Sequence, residues 1–584
     1  MNEQVILVNA PIKTSGGRKQ EAGAPLGLLY LGTVLRQNDI PVTLVDMRSG
    51  ANCLESLSEK VGETDRCLVG FTCDTDNIHR VVRISDNLMD WHPKLTVVLG
   101  GPHVTCQDEP YINERRCVVR GEGEFALLAL ARYVLYGHGS LLSVPSLTYQ
   151  HQGKIARNEP SLGPYQDVDC IPAPDYSLLE SGDEYHPSLI TARGCMYRCH
   201  FCSEGRGRHP YRPRSVENVE RELVMIRDFH RDVRYMSFND DTFTASHTRV
   251  ASLCDAIDRV FPDKSRFGFF CEGRVNVLDR HPELLRRLKE AGMLRLQIGI
   301  ESGDQRMLDR INKATRISQI ENVVKEADNA GVPTVFGVFI CGLPGQTPEG
   351  FQREIEFAGR LLDLAPGRLE LEASILTPMP GTEFGINAHM WGLNLRDDEY
   401  ACGFTTEDCL CETELMPRRV IEEMVELFRS EVTRRISDLA ASYPPARIRE
   451  VFRLAAEHPI LPFTVRLLCR SQPVSWLLTY LRRRDHRFLN ELNARQAACA
   501  APIRMPNKLL RVNGGFIVNE GTLKAFHLTT EESIYYEYFC GKLGFAGIAR
   551  RIASKQSISP EVSLRNCIDV YQKCEDNLAV LMML

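Results

Sequence analysis

Short apolar runs separated by helical periodicity set the pattern of the first quarter of the chain. Runs at Val5–Val8, Val42–Val45, Cys67–Phe71 and Thr96–Leu99 read as strands, with Cys117–Val119 as an edge strand. The alternation with helical segments is the βαβ rhythm of a parallel sheet. Each run ends on turn-forming or small residues: Asn9-Ala10-Pro11, Asp46, Thr72-Cys73-Asp74, Gly100-Gly101-Pro102-His103 and Gly121-Glu122-Gly123-Glu124. Ligands of open α/β sheets sit beyond the carboxyl ends of the strands, so these turns are the first candidate binding positions.

The pattern divides the chain into five parts. Residues 1–135 form the first α/β unit, and 136–186, with Tyr165, Pro172 and Pro174 among polar residues and no sustained period, read as a linker. From 187 to 400 a second βα series has strand cores at Leu189–Thr191, Arg234–Phe238, Phe267–Phe270, Leu294–Ile300, Thr334–Ile340 and Glu370–Ile375. In the fourth, Leu294, Leu296, Ile298 and Ile300 alternate with less apolar neighbours. Before it, Leu284, Leu285, Leu288 and Ala291 share one helix face, and Gly292 ends that helix. Six such units suit an open partial barrel better than a closed eight-stranded one. Residues 401–504 read as helical, and 505–584 as a hairpin at Leu509–Val518 around Asn513-Gly514-Gly515, followed by helices.

A length of 584 residues implies roughly three or four domains, and 43% hydrophobic with 25% charged is the composition of an ordinary globular protein; the pattern above makes the fold class α/β multidomain. A net charge of −6 argues against a general nucleic-acid coat, although 441–512 carries thirteen Lys or Arg against four Asp or Glu, a local +9. No apolar run reaches the ~18 residues of a membrane span, and the start MNEQVILVNAP lacks signal-peptide features, so a cytoplasmic location is expected. Val474–Leu481, followed by Arg482-Arg483-Arg484, reads as a core helix with a basic end rather than a membrane-surface helix.

Most of the 20 cysteines are scattered singly, as reduced core thiols are. The exception is Arg193-Gly194-Cys195-Met196-Tyr197-Arg198-Cys199-His200-Phe201-Cys202, a CxxxCxxC directly after the first strand of the second series. Three thiolates this close can hold three irons of a cubane and leave the fourth iron open to a small chelating molecule. Zinc is the competing reading, with His200 as a fourth ligand, but a ligand inside the motif meets awkward chain geometry. Cys402, Cys409 and Cys411 match no ligand spacing and read as core or loop thiols.

CMYRCHFC resembles the cluster loop of radical S-adenosylmethionine (SAM) enzymes, whose 4Fe-4S cluster chelates SAM. The resemblance extends to about residue 385 through Phe238-Asn239-Asp240-Asp241, Glu272-Gly273-Arg274, Gly299-Ile300-Glu301-Ser302-Gly303, Gly342-Leu343-Pro344-Gly345-Gln346-Thr347 and Pro378-Met379-Pro380-Gly381-Thr382, one at each successive strand end. It implies cluster ligation by Cys195, Cys199 and Cys202. It implies SAM contacts from Phe201, Asn239, Asp240, Asp241, Arg274, Glu301, Ser302, Ile340 and Pro344. Carboxylates there can accept from an ammonium or ribose hydroxyls, and Arg274 can fork onto a carboxylate.

A Rossmann-like domain ahead of this loop resembles the cobalamin-binding domain of the cobalamin-dependent radical SAM group. The candidate cobalamin contacts are Pro25, Leu26, Gly27, Asp46, Thr72, Cys73, Gly100, Gly101, Pro102, His103, Gly121, Glu122 and Gly123. The DxHxxG motif that supplies an axial histidine in classical cobalamin proteins is absent from 1–140, as it is from many members of this group. His79 and His103 therefore read as turn or core histidines, not cobalt ligands. The segment from Lys508 to Val580 is similar to the peptide-recognition element of ribosomal peptide pathways, a hairpin followed by helices that captures a leader peptide as an added strand; the alternative reading of this small winged-helix-like α+β segment is a structural cap.

The combined resemblance implies a methyltransferase acting at an unactivated carbon of a precursor peptide or other small natural-product substrate. In that family a 5′-deoxyadenosyl radical takes a hydrogen atom and methylcobalamin delivers the methyl group. A flavodoxin- or ferredoxin-type electron donor is implied as a partner. Rearrangement, cyclisation or epimerisation without methyl transfer is the enzymatic alternative, and a non-catalytic cobalamin or iron-sulfur sensor the alternative from another class.

Overall fold

The computed structural model describes residues 3–10, 23–48, 53–179, 185–203, 210–230, 232–264, 266–396, 408–440, 501–504, 508–512, 515–519, 526–539, 543–576 and 580–583. Cys402, Val474–Leu481 and most of the basic 441–512 stretch lie outside these residues. Two compact units emerge, one of residues 1–364 with 371–430 and one of 365–370 with 431–584.

The first unit opens with a seven-stranded sheet. Its parallel strands β1 (Glu3–Asn9), β2 (Val42–Asp46), β3 (Arg66–Thr72), β4 (Thr96–Gly100) and β5 (Arg116–Val119) run in the order β2-β1-β3-β4-β5. Helices α1 (Leu26–Gln37), α2 (Cys53–Gly62), α3 (Ile78–Trp91), α4 (Pro102–Cys106) and α5 (Glu124–Tyr136) follow the strands in turn. Near-continuous Val, Leu and Ile in the strands buries both sheet faces, as a parallel sheet covered by helices requires. The sheet does not stop at β5. Residues 136–186, read from sequence as a linker, supply β6 (Leu147–His151) and β7 (Lys154–Arg157), an antiparallel hairpin that pairs with β5 and removes its edge. Thr148 and Arg157 both donate to Asp108, and this pins the hairpin to the β4–β5 connection. Such pairing is long-range and leaves little periodic trace in strands this short.

The second sheet contains β8 (Ser188–Leu189), β11 (Tyr235–Phe238), β12 (Gly268–Gly273), β13 (Met293–Glu301), β14 (Thr334–Cys341) and β15 (Leu369–Ile375), in the order β15-β14-β13-β12-β11-β8. The pairs from β8 through β14 are parallel. Six strands in sequential order with helices between them make the expected open partial barrel. Leu296, Ile298 and Ile300 point into its core, and the preceding helix, Glu283–Glu290, buries Leu284, Leu285 and Leu288 before Gly292 turns the chain at φ +105°. Between β8 and β11, β9 (Ala192–Arg193) and β10 (Arg212–Pro213) form a small antiparallel pair.

A buried polar joint ties the two sheets. Arg214 pairs with Glu222 at 2.6 Å, Tyr30 of α1 donates to Glu222, and Tyr176 donates to the Ser188 carbonyl at 2.8 Å. Arg214 and Glu222 side chains are 6% and 1% exposed, so each charge depends on the other.

In the second unit, Lys508–Val512, Gly515–Asn519 and Phe526–Thr529 form a three-stranded antiparallel meander whose middle strand is Gly515–Asn519. Helices Thr530–Glu537, Phe545–Gln556 and Pro560–Asp576 follow, around a core of Tyr535, Tyr536, Phe539, Phe545, Ile548 and Tyr571. Thr529 and Glu532 cap the first of these helices reciprocally. No described helix is long and apolar enough to cross a membrane.

Candidate active site

The cysteine loop leaves β9 through Gly194, whose φ of +77° suits a residue without a Cβ. Cys199 is buried, whereas Cys195 and Cys202 are half-buried. Main-chain bonds hold the loop from behind: the His200 amide donates to the Ile311 carbonyl at 3.0 Å, and the Phe384 amide to the His200 carbonyl at 3.2 Å. The His200 ring faces the Arg310 carbonyl through Nδ1 and packs against Trp391, so it is committed away from the thiols. No three His, Cys, Asp or Glu side chains among the described residues converge as ligands of one metal ion. A cubane takes one thiolate on each of three irons and so does not require the three sulfurs to meet at one point.

Arg274, at the end of β12, joins the loop to the neighbouring strand ends. Its Nη1 donates to Cys199 Sγ at 3.7 Å, Nη2 donates to the Lys313 carbonyl, and the guanidinium lies 3.8 Å from the centre of the Tyr197 ring. Its Nε is buried with no hydrogen-bond partner among the described residues. A buried guanidinium with an unspent donor beside a thiol suits an anionic ligand on the cluster side.

Around it the strand ends present charge. Glu301 is buried at φ +63° and accepts from Lys313 Nζ at 2.6 Å. A Cβ at Gly299 would fall 2.2 Å from Glu301 Oε1 and 2.4 Å from Lys313 Nζ, so glycine there is what lets this pair form. Phe201 lies below Lys313, 5.8 Å from its ammonium. Asp240 is buried and accepts from both the amide and the hydroxyl of Thr191; it staples the end of β11 to the segment between β8 and β9, ahead of the cysteine loop, and burial pushes it up to about 6. Asn239 and Asp241 flank it on the exposed side. Glu272 accepts from Gln297 at 3.0 Å, and burial, reinforced by the Asp241 charge, pushes it up to about 7.

A second network orders the loops after β13 and β14. Gln346 Oε1 accepts from the amides of Gly342 and Leu343, and its Nε2 donates to Glu354, which also accepts from the Gly303 amide at 3.0 Å. Ser302, Ile340 and Pro344 are buried beside this network. Burial pushes Glu354 up to about 7. A buried carboxyl with a raised pKa binds its proton more tightly folded than unfolded, so the stability it contributes is lost as pH rises through about 7. Glu354→Gln is therefore expected to gain on the wild type between pH 5 and 8 by roughly 1–3 kcal/mol, measured as the difference in denaturant midpoints; a pH-independent difference would refute this.

In the first domain, a cavity of about 390 Å³ opens at the carboxyl ends of the strands. Among its lining residues are Pro25, Leu26, Gly27, Thr72, Gly100, Gly101, Gly121, Glu122 and Gly123, together with Asp74 and Arg193. A Cβ at Gly27 would meet no atom within 4 Å, and one at Gly100 only the Val119 carbonyl at 3.9 Å. Side chains at either place would occupy the cavity, as expected of a cradle for a bulky cofactor. Gly101 serves differently: at φ +111° its Cβ would strike the Cys73 backbone at 2.7 Å.

Four expected contacts lie off this wall. Asp46 is tied up by Arg48 at 2.7 Å and by Tyr185 at 3.0 Å. Cys73 is buried, and Pro102 begins α4. His103 bonds Thr75 through Nδ1 and Tyr111 through Nε2, and burial pushes it down to about 4, so its ring is a satisfied core group. Glu122, on the wall, pairs with Arg193 and Arg212. The sequence reading missed Lys313 and Glu354, which lie outside every quoted motif, and quoted Arg193 and Gln346 within motifs without giving either a role.

Residues 189–358 match the Radical SAM superfamily and residues 19–131 the B12 binding domain. An uncharacterized methyltransferase of Pyrococcus horikoshii is 31% identical over 392 residues, covering 65% of this chain and 82% of that protein. The anaerobic magnesium-protoporphyrin IX monomethyl ester cyclase of Rubrivivax gelatinosus is 26% identical, covering 61% of this chain and 65% of that protein, just under two thirds of its length. Among solved structures, the cobalamin-dependent S-adenosylmethionine radical enzyme OxsB superposes with a TM-score of 0.60 at 16% identity, covering 99% of this chain and 84% of that one, a likeness of fold.

Proposed function

The chain belongs to the radical SAM superfamily, in the group with a B12-binding domain ahead of the barrel, and on that premise we propose that it methylates an unactivated carbon of a ribosomally made peptide or other natural-product precursor. Its cofactors are a 4Fe-4S cluster, SAM and cobalamin. When bound, the cluster and SAM supply radical generation, and cobalamin supplies a methyl carrier.

The observation that carries the reading is the shared wall between the two sites. Arg193 lines the first-domain cavity and stands two residues before Cys195. The protein's own work is positional. Arg274 and Lys313 offer cationic donors at the strand ends, and Asp240 fixes the segment that leads through β9 into the cysteine loop. Gln346 and Glu354 set the β14 loop against the β13 loop. Three cysteines provide the cluster's thiolates, and a flavodoxin- or ferredoxin-type protein is the proposed donor of electrons. The peptide preference draws support from the second unit, where each outer strand of the meander, Lys508–Val512 and Phe526–Thr529, has one ladder edge not taken up by the meander. An extended peptide can add to such an edge.

The likeness to an anaerobic cyclase favours a second reading, ring closure without methyl transfer. Anaerobic turnover with methyl-deuterated SAM and candidate precursor peptides separates the two. Methylation adds a labelled methyl group in place of hydrogen to the peptide product; 5′-deoxyadenosine formation with the label confined to methionine and none in any peptide product would move the assignment to cyclisation or rearrangement.

A further inference from the structure

Arg193 occupies a place that neither cofactor site explains alone. Its Nη1 donates to Glu122 and its Nη2 to Glu124, each at 2.5 Å, and its guanidinium sits 5.6 Å from the Tyr30 ring. Arg212, the β-pair partner of Arg193, also donates to Glu122. The three charged side chains of the fork are 14%, 12% and 6% exposed, and all three line the first-domain cavity. The carboxylates belong to the turn between β5 and α5, whereas Arg193 runs directly through Gly194 into Cys195.

We propose that Arg193 is a positioning residue that couples the two cofactor sites, so that occupancy of the cobalamin cavity strengthens the hold of the cysteine loop on its cluster, and the reverse. The inference rests on the cobalamin and cluster reading given above. A ligand filling the cavity excludes water from the Arg193 ion pairs, lowers the local dielectric and strengthens them. The strengthened residue is two positions from the first cluster cysteine, which restrains the loop. Coupling of this kind is reciprocal, because both ligands draw on one free energy.

The test is hydroxocobalamin affinity, measured by optical titration of the full chain with and without the reconstituted cluster, alongside the rate at which a ferrous chelator strips iron with and without hydroxocobalamin. The wild type is expected to bind cobalamin at least about five-fold more tightly when the cluster is present, and to lose iron correspondingly more slowly. In Arg193→Gln the ratio should fall below about two-fold, with Arg193→Lys, which cannot fork onto both carboxylates, in between. A merely structural role would weaken both affinities and leave their ratio unchanged. Should Arg193→Gln fail to fold, Glu124→Gln decides, since it removes one arm of the same fork. Equal affinities in the wild type, or an undiminished ratio in the variants that fold, would overturn the coupling and leave the cofactor reading intact. Absence of cobalamin binding by every form would overturn both.

Discussion

Replacing Cys195, Cys199 and Cys202 together by Ala is expected to leave the protein folded, without cluster iron after anaerobic reconstitution, and with SAM cleavage reduced at least about 10³-fold, some 4 kcal/mol of barrier. The loop's frame does not depend on the sulfurs. It is held by the His200 amide on Ile311, by the Phe384 amide on His200, and by Asn312 Nδ2 on the Arg198 carbonyl at 2.8 Å. Loss of the thiols therefore removes ligands rather than the fold. Cys199→Ala alone should come close to the triple variant, because Cys199 is the buried member and the one that Arg274 addresses. Retention of iron and of 5′-deoxyadenosine formation by the triple variant would refute the assignment of the cluster to this loop.

Glu222→Ala is expected to destabilise the first unit by about 3–5 kcal/mol, the cost of stranding a buried charge. The Arg214 guanidinium would keep Asn218 Oδ1 at 2.7 Å and the Ile190 carbonyl at 2.8 Å but lose its counter-charge, and Tyr30 would lose its acceptor. Arg214→Leu combined with Glu222→Leu should cost less than Glu222→Ala, since removal of both charges leaves neither unpaired. Denaturant midpoints of the three proteins decide the matter, and a double variant worse than the single would mean that the joint acts through packing alone. The effect matters for function because Tyr30 lies on α1, which begins at the cavity wall, and Glu222 lies on the helix that follows the cysteine loop.

Much of the site's skeleton was readable along the chain. CxxxCxxC is a contiguous spacing, and the strand ends carry glycines whose backbone requirements are local, such as Gly101 and Gly194. Strand cores such as Leu296, Ile298 and Ile300 declare themselves by alternation. The hairpin at 147–157 escaped the reading because its register is set by Val118 and Val119 across the sheet, not by its own sequence. His103 shows what the fold adds to a reading the sequence already made: taken from sequence as a turn or core histidine and not a cobalt ligand, it has Thr75 and Tyr111 on its two ring nitrogens, partners that no local pattern names.

The sequence by itself determined the order of the two α/β units, the placement of three thiols after one strand, and the glycines at strand ends such as Gly194, because each rests on residues adjacent in the chain or on a single backbone conformation. Only the tertiary structure decided which charges meet. Arg193 and Glu122 are 71 positions apart, Arg193 and Glu124 are 69 apart, and Glu354 reaches Gly303 across 51. Pairing over such distances, and the desolvation that pushes Glu272 and Glu354 up to about 7, arise from what the folded chain packs around each group, which no local pattern encodes.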